Sequence, residues 1–139
     1  MRLALPEDLR LQIAAEARAA YPRECCGLIL GVKVLEPQIG VQGHALALHP
    51  ARNLAQQPDR FEIDPGDHFA ALRVARATGQ AVIGCYHSHP DSAARPSATD
   101  LASAHEDGFF WLIAGPAEIA AFIYLRGEFI GADLVTSSS

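Results

Sequence analysis

The sequence predicts a single mixed domain, a β-sheet flanked by helices in an α/β or α+β arrangement. Three observations predict it. The chain has 139 residues, one domain's worth. Half of them are hydrophobic and 19% are charged, enough apolar side chains for one core and unlike a disordered chain. Along the chain, helical periodicities alternate with short apolar runs set off by glycine and proline.

Leu5, Leu9, Ile13, Ala17 and Tyr21 recur every four residues, with Pro6 suited to a first helical position and Pro22 closing the run. That pattern is a first amphipathic helix. Gly27 to Val34 is an apolar, branched run that suits a buried strand, and Gly40 to Leu48 is its partner across a turn at Glu36-Pro37-Gln38. His49 to Arg60, with Pro50, Asn53 and Pro58, lacks periodicity and reads as a long loop, a feature commoner beside sites than in plain scaffolds. Phe61 to Ile63 reads as a brief strand.

The second helix has the clearest signals: Asp64 as N-cap, Pro65 at the first position, Asp67 in the first turn, apolar Phe69, Leu72 and Ala75, and Gly79 as terminator. Ala81 to Tyr86 is too short for a helix and reads as a central strand, running into His87-Ser88-His89-Pro90, where the proline ends the ladder. Asp91 to Pro96 is a loop, and Ser97-Ala98-Thr99-Asp100 opens a third helix reaching about Glu106. Phe109 to Leu125 is two buried strands around Gly115-Pro116 and not a membrane span, since Glu118 in hydrocarbon would cost roughly 3 kcal/mol. Arg126-Gly127 and Gly131 punctuate the remaining strands. The domain is expected to cover residues 1–135, with 136–139 a flexible tail.

Eleven Lys and Arg against sixteen Asp and Glu give a net charge of -5, which argues against a phosphate-tracking surface and a nucleic-acid partner. Cys25, Cys26 and Cys85 are odd in number, and an adjacent pair is a poor start for a disulfide framework. A reducing cytoplasm fits them better. Pro6-Glu7-Asp8 follows the N-terminus at once, so no signal peptide is expected.

In an extended segment alternate side chains share a face, so His87 and His89 point one way and Ser88 the other. Asp100 follows eleven residues after His89, at a helix start that can aim a carboxylate at the same point. Two histidines and a carboxylate are three ligands of a catalytic zinc site, whose fourth position holds water. Such a site also needs a carboxylate base off the metal, which spacing alone does not choose. Plainer readings compete: Ser97-x-x-Asp100 is a near capping box, and Glu24 after a helix end is by default exposed. There is no His-Glu-x-x-His and no Pro-Cys-x-x-Cys. Cys25, Cys26 and Cys85 are read as buried core or supporting residues, with Cys85 on the His87 face of its strand. His44, His49, His68 and His105 lack partner spacing, and Asp91 and Arg95 are candidates to touch substrate.

His87-Ser88-His89-Pro90, six residues, then Ser97, two residues and Asp100, with Pro22-Arg23-Glu24-Cys25-Cys26-Gly27 upstream, resembles the JAMM (MPN-plus) metalloprotease motif of a small prokaryotic stand-alone member. The resemblance implies a curved mixed sheet between helices, a JAMM/MPN (cytidine-deaminase-like) architecture. It implies that His87, His89 and Asp100 bind one zinc ion per chain, that Glu24 is the general base on the metal-bound water, and that Ser97 hydrogen-bonds the developing oxyanion. It implies hydrolysis of the peptide or isopeptide bond after the C-terminal Gly-Gly of a ubiquitin-like sulfur-carrier protein. A flexible Gly-Gly tail is suited to adding as a strand beside an exposed sheet edge. The alternatives are a non-catalytic MPN scaffold or binding module, and a JAMM peptidase of phage-tail or cell-wall type.

Overall fold

The computed structural model describes residues 1–137. In chain order it contains β1 (Arg2–Pro6), α1 (Glu7–Ala20), β2 (Cys26–Glu36), β3 (Gly40–Ala51), α2 (Pro65–Ala77), β4 (Ala81–Ser88), α3 (Ala98–Ser103), β5 (Phe109–Ala114), β6 (Ile119–Leu125) and β7 (Glu128–Ser137). The strands pair in the order β1-β3-β2-β4-β5-β6-β7. β1 pairs in parallel with both β3 and β7 and closes the sheet into a barrel. The expected mixed, curved sheet forms; β1 covers β3 only from Gln42 to His44, so among the described residues the outer edge of β3 from Ala45 to Ala51 has no strand beside it.

Pro6 marks where a two-residue period gives way to a helical one. Leu3 and Leu5 are buried on β1, and α1 starts only at Glu7, so Leu5 does not belong to the first helix as its spacing suggested. The partners that make β1 a strand lie some forty and a hundred and thirty residues away. No local pattern announces them. Tyr21, the last member of the four-residue series, lies past the helix and is 60% exposed.

Two apolar clusters hold the sheet to the helices. Leu9 and Ile13 of α1 share one with Leu3, Leu5, Ile29, Ile83, Tyr86, Phe110, Leu112 and Ile123. Ala71 and Ala75 of α2 share the other with Leu28, Leu30, Cys85 and Trp111. Asp64 caps α2 by accepting the Gly66 N–H, and Gly79 takes φ 71° after its end, as the sequence suggested. Its buried face differs from the expected one, since Phe69 is 62% and Leu72 47% exposed. The small Ala71 and Ala75 let the helix approach the strands closely, and that orientation turns the larger side chains outward.

One irregularity in β4 governs the rest. Ile29 of β2 lies opposite Gly84 and Leu30 opposite Val82, so Ile83 is an extra residue. As a result Cys85 packs in the α2 cluster and Tyr86 in the α1 cluster. Tyr86 lies across Gly27, where a Cβ would come within 2.3 Å of the ring, and its hydroxyl donates to Glu16 Oε1 at 2.7 Å. Only a glycine leaves room for that ring.

Three boundaries move from their expected places. β3 continues through Ala51, so the loop begins later than His49, and Phe61 to Ile63 makes only an isolated bridge between Asn53 and Ile63. α3 stops at Ser103, short of Glu106. Thr136 and Ser137 pair with Leu5 and Pro6 as part of β7, which corrects the tail expected from residue 136; residues 138–139 lie outside the described ones. The apolar stretch from Phe109 is β5 and β6, and among the described residues no helix is long and apolar enough to cross a membrane.

Candidate metal centre

β4 delivers both imidazoles. His87 lies within the strand, and the ladder to β5 runs one step further through the His89 N–H, which donates to Ala114 O at 2.8 Å. Ser88, between them, faces the other way and accepts the Cys25 N–H on its Oγ at 2.8 Å. The two Nε2 atoms are 3.0 Å apart. Asp100 Oδ2 lies 3.2 Å from each of them.

Asp100 reaches this point through the first turn of α3. Ser97 Oγ accepts the Asp100 N–H at 3.0 Å, and Asp100 Oδ2 accepts the Ser97 N–H at 2.9 Å, a complete capping box. The capping and ligand readings of Asp100 therefore do not compete, because one carboxylate oxygen serves both geometries. Burial pushes the Asp100 carboxyl upward, but hydrogen bonds from His87 and His89 outweigh it and hold the group well below the usual carboxylate range. Burial pushes fully enclosed His87 down, whereas in His89 the partners Asp100 and Ala93 outweigh burial and raise it.

Glu24 is the largest departure from a default expectation. It is 4% exposed, and its Oε1 is buried with no hydrogen-bond partner. Its carboxylate, with His87 and His89, forms a group whose ligand atoms lie within 4.8 Å of one another. Burial pushes its carboxyl up to about 7, opposed by His89 and reinforced by Asp100 and Asp59. His44, His49, His68 and His105 do not join that group.

The two imidazoles are oriented by different means. His89 Nδ1 is 3.0 Å from Ala93 O, which makes that nitrogen a donor, so that on the neutral ring Nε2 carries the lone pair a metal would take. His87 Nδ1 has no such partner. Its ring is held by packing: Phe61 stacks on it at 4.2 Å between centroids and 20° between planes, and Trp111 meets it edge-on at 5.8 Å. Phe61 was read only as part of a brief strand, and Asn53, which ties the Phe61 segment to Glu24, only as a loop residue. The long aperiodic stretch was the one signal pointing to either.

Asp91 and Arg95 are both exposed, and Asp91 Oδ1 is 3.3 Å from the Tyr21 hydroxyl. Ser97 is exposed, and its hydroxyl proton is not used in the capping box. Cys25, Cys26 and Cys85 are buried and unpaired. Burial pushes the Cys26 thiol up to about 12 and moves Cys25 and Cys85 the same way. At pH 8 the Cys26 thiolate population is then roughly a thousandth of that of a free thiol. The native protein is expected to resist iodoacetamide at that pH and to take up three labels once denatured, which mass spectrometry reads directly.

A tetrahedral zinc with bonds of about 2.0–2.1 Å holds its ligand atoms about 3.3 Å apart. The mutual 3.0–3.2 Å spacing of the two Nε2 atoms and Asp100 Oδ2 fits that requirement, and the unpaired Glu24 oxygen beside them suits a base off the metal. Two clefts border the site residues. One of about 620 Å³ lies between α1 and the β5–β6 turn and reaches Ser88 and His89; the other, of about 290 Å³, borders Glu24, Cys25 and Asn53.

Residues 6–124 match the family described as prokaryotic homologs of the JAB domain. The chain is 34% identical over 120 residues to a desampylase of Haloferax volcanii, covering 83% of this chain and 81% of that protein. It is 28% identical over 113 residues to the CysO-cysteine peptidase of Mycobacterium tuberculosis, covering 81% and 73%. The solution structure of a protein from Desulfitobacterium hafniense superposes with a TM-score of 0.86 at 27% identity, covering 99% of this chain and 94% of the other.

Proposed function

The chain belongs to the family of prokaryotic JAB-domain homologs and is a JAB-type hydrolase, and from that premise we propose that it is a zinc peptidase that cleaves the peptide or isopeptide bond after the C-terminal Gly-Gly of a ubiquitin-like sulfur-carrier protein in the cytoplasm. The observation that carries this reading is the triangle of ligand atoms at 3.0–3.2 Å beside a buried, unpaired carboxylate. The substrate class is supported by the two relatives, one a desampylase and one a CysO-cysteine peptidase.

His87 Nε2, His89 Nε2 and Asp100 Oδ2 would hold the ion. Zinc held there supplies a Lewis acid for the scissile carbonyl and brings the pKa of a coordinated water to about 7. Glu24 Oε1 would serve as the general base that takes a proton from the attacking water and returns it to the leaving nitrogen. Its burial without a protein partner leaves the oxygen free for both tasks. The exposed Ser97 hydroxyl donates to the oxygen on which charge develops. Glycines at the cleavage point let the substrate backbone approach closely. The tail is suited to adding as a strand along the uncovered edge of β3 from Ala45 to Ala51, whose end borders the cleft at Glu24. A scaffold role is disfavoured because ligands and base are all present as side chains capable of their parts.

The test is metal analysis of the purified protein together with mass spectrometry of a ubiquitin-like carrier extended beyond its Gly-Gly. One zinc per chain and chelator-sensitive trimming back to Gly-Gly are expected. Zinc without trimming would remove the substrate assignment, and absence of zinc would favour the scaffold.

A further inference from the structure

Asn53 makes every hydrogen bond that a carboxamide side chain can make. Its Nδ2 donates to Glu24 O at 3.0 Å and to Arg60 O at 3.0 Å. Its Oδ1 accepts from Ala55 N at 2.9 Å and from Glu62 N at 3.0 Å. Two donors and two acceptors are thus all engaged. Three of the four partners are backbone groups of the segment from Ala55 to Glu62, and the fourth belongs to Glu24.

That segment carries Phe61, flanked by the very residues whose backbone Asn53 holds. Phe61 is the ring stacked on His87, whose Nδ1 has no hydrogen bond to orient it. Further ties are few: Leu54 N donates to Glu62 O at 2.8 Å, Asp64 N to Arg52 O at 3.0 Å, and the Arg23 guanidinium to the carbonyls of Ala55 and Gln56. Among the described residues, Asn53 is the one side chain bonded both to the backbone of Glu24 and to both ends of the Phe61 segment.

We propose that Asn53 is a positioning residue that locks the Ala55–Glu62 segment over the site, so that Phe61 fixes the His87 ring while the same carboxamide fixes the Glu24 backbone. The catalytic consequence rests on the proposed hydrolase site; the lock itself does not. Without it, the exposed stretch Ala55–Arg60 has little else to hold it, and local opening of such segments precedes global unfolding. A site held by packing is then freed to sample unproductive ring positions.

The molecule contains its own probe. Trp111 is the single tryptophan, 5% exposed, and lies edge-on to Phe61 at 5.8 Å and to His87 at 5.8 Å. In Asn53→Ala, acrylamide quenching of this tryptophan is expected to rise, and amides of residues 55–62 to exchange about tenfold faster or more, while those of β1, β5 and β7 keep their protection. Asn53→Asp retains both acceptors but sets a carboxylate against the Glu24 and Arg60 carbonyls, and should show the same two changes if Asn53→Ala folds poorly. On a substrate that the protein trims, kcat should fall about tenfold or more at unchanged zinc content. On a Glu24→Gln background the same substitution should cost much less, since coupled groups are not additive. Unchanged quenching and exchange, or exchange accelerated equally across all strands, would overturn the lock. Changed quenching and exchange with an unchanged kcat would overturn its catalytic role. Failure to find any substrate would tell against the hydrolase assignment alone, since the optical and exchange readouts need no turnover.

Discussion

Glu24→Gln is expected to keep one zinc per chain and to lose hydrolysis by about 10²–10⁴-fold, the usual contribution of a general acid–base group. Glutamine preserves the volume and one acceptor oxygen but cannot take and return a proton. The interpretation is clean because Glu24 Oε1 has no protein partner whose loss would disturb the fold. The carboxylate is nonetheless 4% exposed, so a neutral isostere should, if anything, relieve its burial. Metal analysis and mass-spectrometric rates on the same preparation measure both halves. A variant with near-wild-type turnover would assign the base elsewhere, and one that loses zinc would make Glu24 a ligand.

His89→Ala is the second large effect, with zinc affinity falling by more than about 100-fold, since even residues that merely orient a ligand are worth about 10–100-fold. His89 is a better choice than His87 for this test. The His87 ring is packed against Phe61 and Trp111, so truncating it opens a cavity as well as removing a donor. His89 instead contributes a hydrogen bond to Ala93 O in a loop, and its loss leaves both apolar clusters intact. Competition with a chromogenic chelator reads the affinity. Retention of wild-type affinity would remove His89 from the ligand set.

Much of this architecture is legible where the relevant interactions are local. The Asp64 cap, Pro65 and Gly79 mark α2 because each acts on backbone groups within a few residues. His87, His89 and Asp100 are legible because strand alternation and a capping box aim them, and both are short-range rules. β1 is not, because its hydrogen bonds go to β3 and β7 and five residues carry too little pattern of their own. The burial of Glu24 is hidden for a similar reason: it depends on the loop after β3 and on β4 arriving from elsewhere. Without the motif resemblance the sequence offers several carboxylates and no way to choose. Phe69 and Leu72 mislead in the opposite sense, since apolar spacing on α2 is present while the strands accept only the side bearing Ala71 and Ala75.

The extra residue at Ile83 acts as a phase shift in the strand. Ahead of it, the even position, Val82, belongs to the α2 side, and after it the odd ones, Cys85 and His87, do. The bulge is therefore a point at which β4 can change length without turning its ligands. Deleting Ile83 leaves Val82 and Gly84 opposite Leu30 and Ile29 in plain alternation, so Cys85 and His87 keep their side and the cost is the packing of the lost side chain. A residue lost between Gly84 and His87 can likewise be made good by drawing Ile83 into the regular ladder. Sequence drift in this strand thus has a built-in reserve of one residue, and it is a second loss that would turn both imidazoles away from Asp100.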